Sequence, residues 1–121
     1  MKQEANSSLI FRHWLKANYK KFDSCTFEMK DTRGSNTFSL RELKEEQRNH
    51  ALACKGDKGN LMRTVGTTGI ADYIFMRNAY AYIVIRYPKI MAIIDIDDFL
   101  HETKGITSDR AEEIAIEVIQ L

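Results

Sequence analysis

Glu28 and Lys30 are the residue pair in this sequence best suited to chemistry. They lie in residues 24–31, a run that alternates with period two. Cys25, Phe27 and Met29 fall on one side of such a strand, and Thr26, Glu28 and Lys30 on the other. Both charged side chains therefore leave the same surface of a sheet. A carboxylate there can hold Mg²⁺ or Mn²⁺ through its oxygens. An amine two residues on can position an attacking water and offset negative charge on a phosphate. Alone, a Glu-x-Lys spacing is also common on solvated strand faces.

The elements around the pair can be read from periodicity. Residues 4–18 form an expected helix, with Phe11, Trp14, Leu15 and Asn18 at helical spacing. The 31–36 stretch reads as a loop. A second helix is expected from Ser39, where Ser39 and Glu42 have capping-box spacing. Its inward stripe is Leu40, Leu43, Gln47, His50, Ala51 and Cys54. Gln47 on that stripe can reach the surface from which Glu28 and Lys30 project. A buried amide needs partners, and a water or a phosphate oxygen would serve. His50 reads as structural, and His13 and His101 carry no motif. Residues 56–69 are polar and glycine-containing, which predicts a long loop. Residues 70–76 fit either a strand or a short helix. The β-branched and aromatic run 79–87 predicts a central strand. Pro88 and Lys89 make a turn, and 90–96 forms the next strand. Asp97 opens a short helix. Ser108 is expected to cap a final helix, with Asp109, Glu112 and Glu113 near its start. The expected order is α-β-α-(β)-β-β-α-α.

The central block carries more than the pair. Phe27, Glu28, Lys30 and Thr32, then Phe38 and Leu40, then Gln47 and His50, resemble the corresponding block of RecU-type Holliday junction resolvases, a branch of the PD-(D/E)XK nuclease superfamily. In that family an E-x-K-x-T strand leads to an F-x-L segment. A helix follows, with Gln nine positions after the Phe and His three after the Gln, and the spacings here are the same. The resemblance covers about residues 24–100. It implies an α/β (or α+β) fold, a restriction-endonuclease-like mixed central sheet flanked by helices. It implies Mg²⁺- or Mn²⁺-dependent hydrolysis of phosphodiester bonds in branched or duplex DNA. Glu28, Lys30 and Gln47 would be catalytic, and Glu28 a metal ligand. It implies a homodimer, whose interface the 80–87 tyrosines could form unless they are core. Similar short chains are familiar from phage genomes, which would place this one in a host cytoplasm.

The sequence departs from the family in one place. The superfamily supplies an Asp on a strand upstream of E-x-K, and here only Asp23 lies between the first helix and Glu28. Three readings stay open: Asp23 serves from an unusual position, Asp72 takes over, or the site is incomplete. Asp72 is favoured over Asp23. Glu4 matches an acidic residue that related resolvases carry early in their first helix, where it completes the metal site. It also suits an ordinary helix start. Asp95, Asp97 and Asp98 read as strand-end and helix-start caps. Thr32, Arg33 and either Lys44 or Arg48 could contact phosphates without reading sequence.

Bulk properties fit this frame. The 121 residues suit one domain spanning 1–121. No apolar run approaches a membrane span, and the first residues lack an apolar leader, so a cytoplasmic protein is expected. Cys25 and Cys54 read as reduced core thiols. Residues 1–64 carry 13 Lys and Arg against 8 Asp and Glu, while 65–121 carry 5 against 9. A basic half and an acidic half could present one positive face to DNA. Two further readings use the same residues: a nuclease fold without activity that binds DNA or protein, or an inhibitor carried by a mobile element.

Overall fold

The longest apolar runs build the centre of the molecule. A computed structural model describes residues 2–65 and 69–121, and the side chains of 6–64 and 69–121. The elements in chain order are α1 (Lys2–Asn18), β1 (Cys25–Asp31), β2 (Thr37–Phe38), α2 (Glu45–Lys55), β3 (Asn60–Val65), β4 (Ala71–Met76), β5 (Tyr80–Arg86), β6 (Ile90–Asp95), α3 (Ile96–Leu100), β7 (Ile106–Thr107), α4 (Ser108–Ile114) and β8 (Glu117–Gln120). Four strands form one sheet in the order β1-β5-β6-β8. β1 and β5 run parallel, and the other two pairings are antiparallel. The sheet is therefore mixed and flanked by helices, an α+β arrangement. β5 and β6 are its interior strands, which explains their nearly unbroken apolar sequences.

Strand alternation divides the core into two. Ala81, Ile83, Ile85, Tyr87, Ala92 and Ile94 point to one side, where they meet Leu43 and Ala51 near α2, Phe99 of α3 and Ala111 of α4. Tyr82, Val84, Met91 and Ile93 point to the other, with Phe11, Trp14 and Leu15 of α1 and with Cys25, Phe27 and Met29 of β1. Phe27 is pinned by rings: centroids lie 4.9 Å away at Phe11, 5.4 Å at Phe22 and 5.6 Å at Tyr82. One face of β1 is thus fixed by packing, and Thr26, Glu28 and Lys30 are left on the α2 side. The register is specified because a one-residue slip would expose every ring. Of the tyrosines in β5 and its exit, Tyr82 and Tyr87 are core, while Tyr80 is half exposed.

Several boundaries differ from the sequence expectation, each for a local reason. The second helix starts at Glu45, not Ser39. Residues 40–42 form a 3₁₀ turn, and Leu43 is extended, with φ −91° and ψ 106°, which seats its side chain in the core and breaks the helix. Ser39 makes no capping bond. The expected 56–69 loop contains β3, which pairs along its whole length with β4, so 70–76 is a strand; residues 66–68 of that loop lie outside the described residues. Thr107 caps α4 rather than Ser108, its hydroxyl accepting from Arg110 N at 3.1 Å. The β2–β7 pair and β8 were not expected at all. Asp95 does cap α3, accepting from Asp97 N at 2.9 Å. Lys55 bridges Asp95 at 3.5 Å and also pairs with Asp97, so two of the three carboxylates of this cluster share one cation. Both cysteines are free thiols. Among the described residues, no helix is long and apolar enough to cross a membrane.

Tyr87 gives the fold a pH limit. Its ring is buried, and its hydroxyl donates to the Ile106 carbonyl at 2.7 Å. Burial pushes the phenol well above its ordinary value. The unfolded chain therefore loses this proton first. Stability from this group is complete below about pH 10 and is lost as pH rises above it. We expect unfolding free energy to fall by up to about 1.4 kcal/mol per pH unit above pH 10 from this group. Denaturant titrations of wild type and Tyr87→Phe should show a shallower alkaline slope in the variant.

Candidate active site

Glu28 sits mid-strand on β1, an edge strand of the sheet. Parallel pairing of β1 with β5 requires a crossover, and that crossover contains α2. It carries Gln47 over the Glu28 face. The Gln47 amide is oriented from both ends. Its Oε1 accepts from the Lys44 backbone N–H at 3.1 Å, at the start of α2. That leaves the amide nitrogen to donate, and Nε2 reaches Glu28 Oε2 at 3.2 Å. Lys30 Nζ lies 3.9 Å from the same carboxylate oxygen. The Lys30 side chain is only 12% exposed and that of Glu28 32%. The amine is thus largely withdrawn from water while the carboxylate stays accessible.

Glu28, Lys44, Glu46, Gln47 and His50 line an open cleft of about 390 Å³. His50 forms a wall rather than a free acid or base. Asn60 Nδ2 donates to its Nδ1 at 2.9 Å, and the opposite ring nitrogen faces Cys54 Sγ at 3.9 Å. That contact also ties α2 to the start of β3. Burial pushes the Cys54 thiol up, with the Asn60 contact opposing it.

The remaining sequence candidates are distributed unevenly. Asp23 is exposed and precedes β1, about 16 Å along the chain from Glu28 at strand spacing. Its alternation also puts it on the α1 side, near Cys25. Burial raises the Cys25 thiol, and the Asp23 charge adds to this. Asp23 therefore does not join Glu28. Asp72 pairs with Thr64 in the β3–β4 hairpin. It shares a hairpin side with Asn60, which faces the cleft wall, but stands about 14 Å along β4 from the hairpin base. Glu4 belongs to α1, which packs on the sheet face opposite Glu28; its side chain lies outside the described residues. One turn later, Ser7 Oγ donates to Asp31 Oδ2 at 2.8 Å, fixing α1 to the end of β1. Among the described residues, no three His, Cys, Asp or Glu side chains form a metal-holding group.

Glu46 is the carboxylate that sequence reading missed. It shares the cleft with Glu28. Its signal was its place beside Gln47, but a helix's first turn favours acids anyway. Mg²⁺ typically takes one or two carboxylates and completes its shell with water and phosphate oxygens. Two carboxylates on one accessible cleft fit that donor set.

The phosphate-contact candidates also separate. Lys44 borders the Glu28 cleft, whereas Arg48 borders a different pocket with Phe99 and Glu102. Arg33 is exposed, in a left-handed turn at φ 55°, with its N–H bonded to Asp31 Oδ1 at 2.6 Å. The Thr32 hydroxyl oxygen is buried, without a hydrogen-bond partner among the described residues. It is not presented to a surface phosphate.

No protein-family model, curated protein or solved structure matches the chain.

Proposed function

We propose that the chain is a Mg²⁺-dependent endodeoxyribonuclease that hydrolyses phosphodiester bonds in branched or duplex DNA, of the Holliday junction resolvase kind. The reading is carried by one observation: Gln47 and Lys30 both converge on the Glu28 carboxylate, at 3.2 Å and 3.9 Å, and Glu28 and Gln47 line an accessible cleft. Glu28 and Glu46 would hold the ion, with Asp72 the other candidate carboxylate. Magnesium, when bound, supplies positive charge to the scissile phosphate and acidifies the attacking water. Lys30 offsets charge that builds on the phosphate and orients the water. Gln47 keeps the Glu28 carboxylate in place, because its own amide is held by the helix start. Lys44 offers a backbone-phosphate contact at the cleft rim. Action at a symmetric junction requires two copies, so the reading includes a homodimer.

Cleavage of a labelled four-way junction by the full chain, with Mg²⁺ and then with EDTA, tests this. Specific nicking near the branch with Mg²⁺, lost in EDTA, is expected. Binding without nicking under both conditions would overturn the hydrolase reading. That outcome corresponds to a second reading, a nuclease-shaped module that binds DNA or protein without cutting. Its support is that the nearest partners of Glu28 are an amide and an amine, and that no three-ligand group forms among the described residues.

A further inference from the structure

The β3–β4 hairpin lies outside the main sheet, and its two sides differ. Residues directly opposite in an antiparallel pair share a side. The register places Asn60, Met62, Ile74 and Met76 on one side, and Leu61, Arg63, Tyr73 and Phe75 on the other. The first side meets the domain at the hairpin base, where Asn60 bonds His50 and Met62 and Met76 are half-buried, while Ile74 further out is 47% exposed. On the second, Leu61 and Tyr73 are each 62% exposed and Phe75 is 55% exposed. Gly59 leaves room for the Phe75 ring. Its φ is +79°, and a Cβ there would come within 2.6 Å of the ring.

The one charged residue within the two strands on this side is a cation. Arg63 stands directly opposite Tyr73. Lys58 and Arg77 flank the hairpin base, and none of these three cations forms an ion pair among the described residues. Asp72 leaves by the opposite side. Exposed rings beside unpaired cations suit a polyanion that also offers flat apolar faces. A DNA duplex hides its base faces and presents phosphates and groove edges. Unpaired bases offer both surfaces. Tyr73 and Phe75 are two residues apart, about 6.8 Å along a strand. That is twice the roughly 3.4 Å spacing of stacked bases, so the two rings match a strand drawn out of its stack.

We propose that the outer side of the β3–β4 hairpin is a stacking platform for single-stranded DNA, with Tyr73 and Phe75 receiving bases and Arg63 a phosphate. It rests on the reading of DNA as partner and assigns the unpaired strands near a branch point to this surface.

The test is fluorescence anisotropy of the full chain with a labelled thymidine oligomer of about 15 nucleotides and with a blunt duplex of equal length, both in EDTA. Replacing both rings, Tyr73→Leu with Phe75→Leu, keeps apolar strand residues and removes the π faces. We expect single-strand affinity to drop about 25-fold, some fivefold per ring. Duplex affinity should stay within about twofold, as phosphate contacts dominate it. Tyr73→Trp should bind single strands at least as tightly as wild type. Equal losses on both substrates, unchanged single-strand affinity in the leucine variant, or no single-strand binding by wild type would overturn the platform. So would conversion of a dimer to a monomer with DNA affinity unchanged. Ring-dependent binding by a protein that cuts nothing in Mg²⁺ would uphold the platform and remove the nuclease. Junction cleavage together with ring-independent binding would do the reverse.

Discussion

Lys30→Ala should lower Mg²⁺-dependent junction cleavage by about 10²–10³-fold, the usual cost of removing one group that stabilises transition-state charge. Binding to the same junction in EDTA should change by less than about threefold, because one largely buried amine contributes little to a footprint of many phosphate contacts. The variant should fold. Glu28 keeps its bond from Gln47, and an ion pair at 3.9 Å with a partly exposed carboxylate contributes only about 0–1 kcal/mol. Single-turnover cleavage assays with protein in excess check the first statement, and anisotropy checks the second. Cleavage at wild-type rate would place the chemistry elsewhere. Equal loss of cleavage and binding would make Lys30 a binding residue only.

Phe38→Ala should have the largest effect on stability. Phe38 is 1% exposed and belongs to the core on the α2 side. Its ring lies 6.1 Å from that of Phe99, and its backbone pairs with Ile106. Truncating a buried phenylalanine costs about 3–5 kcal/mol, against a typical total of about 5–15 kcal/mol. Urea unfolding should show a midpoint lowered by about 1 M or more at unchanged slope. A loss below about 1 kcal/mol would mean that the site collapses without a cavity. Phe38 also explains one part of the family-like block. Its role is packing: it seats the segment that leads into α2, and α2 carries Gln47.

What could be read from the sequence follows the range of each interaction. β1 was legible because period-two alternation is local and one of its faces is wholly apolar. Glu28 and Lys30 followed from it. Gln47 was legible because the helical stripe directed it inward, although the helix start was misplaced. Ser39 and Glu42 had the spacing of a cap, but Leu43 needed an extended backbone to reach the core. The β3–β4 hairpin was missed since Leu61, Tyr73 and Phe75 are exposed, so burial gave no clean alternation. Two six-residue runs flanking Gly66 and Gly69 were the available signal. β8 was too short, at four residues, to stand out after a helix. The second carboxylate was illegible for a different reason. Which acid approaches Glu28 depends on how α1, α2 and the hairpin are placed, and no local pattern encodes that. Asp23 and Asp72 stand out only by their positions in the chain, while Glu46 reaches the cleft through the placement of α2.

Anomalous diffraction from a crystal of the full chain soaked in Mn²⁺ bears most directly on the central claim. An ion should appear at the Glu28 carboxylate, shared with one further carboxylate, and Glu46 and Asp72 are the residues to inspect. A map with no ion at Glu28, and with that carboxylate still bonded to Gln47 and Lys30, would contradict a metal-dependent hydrolase.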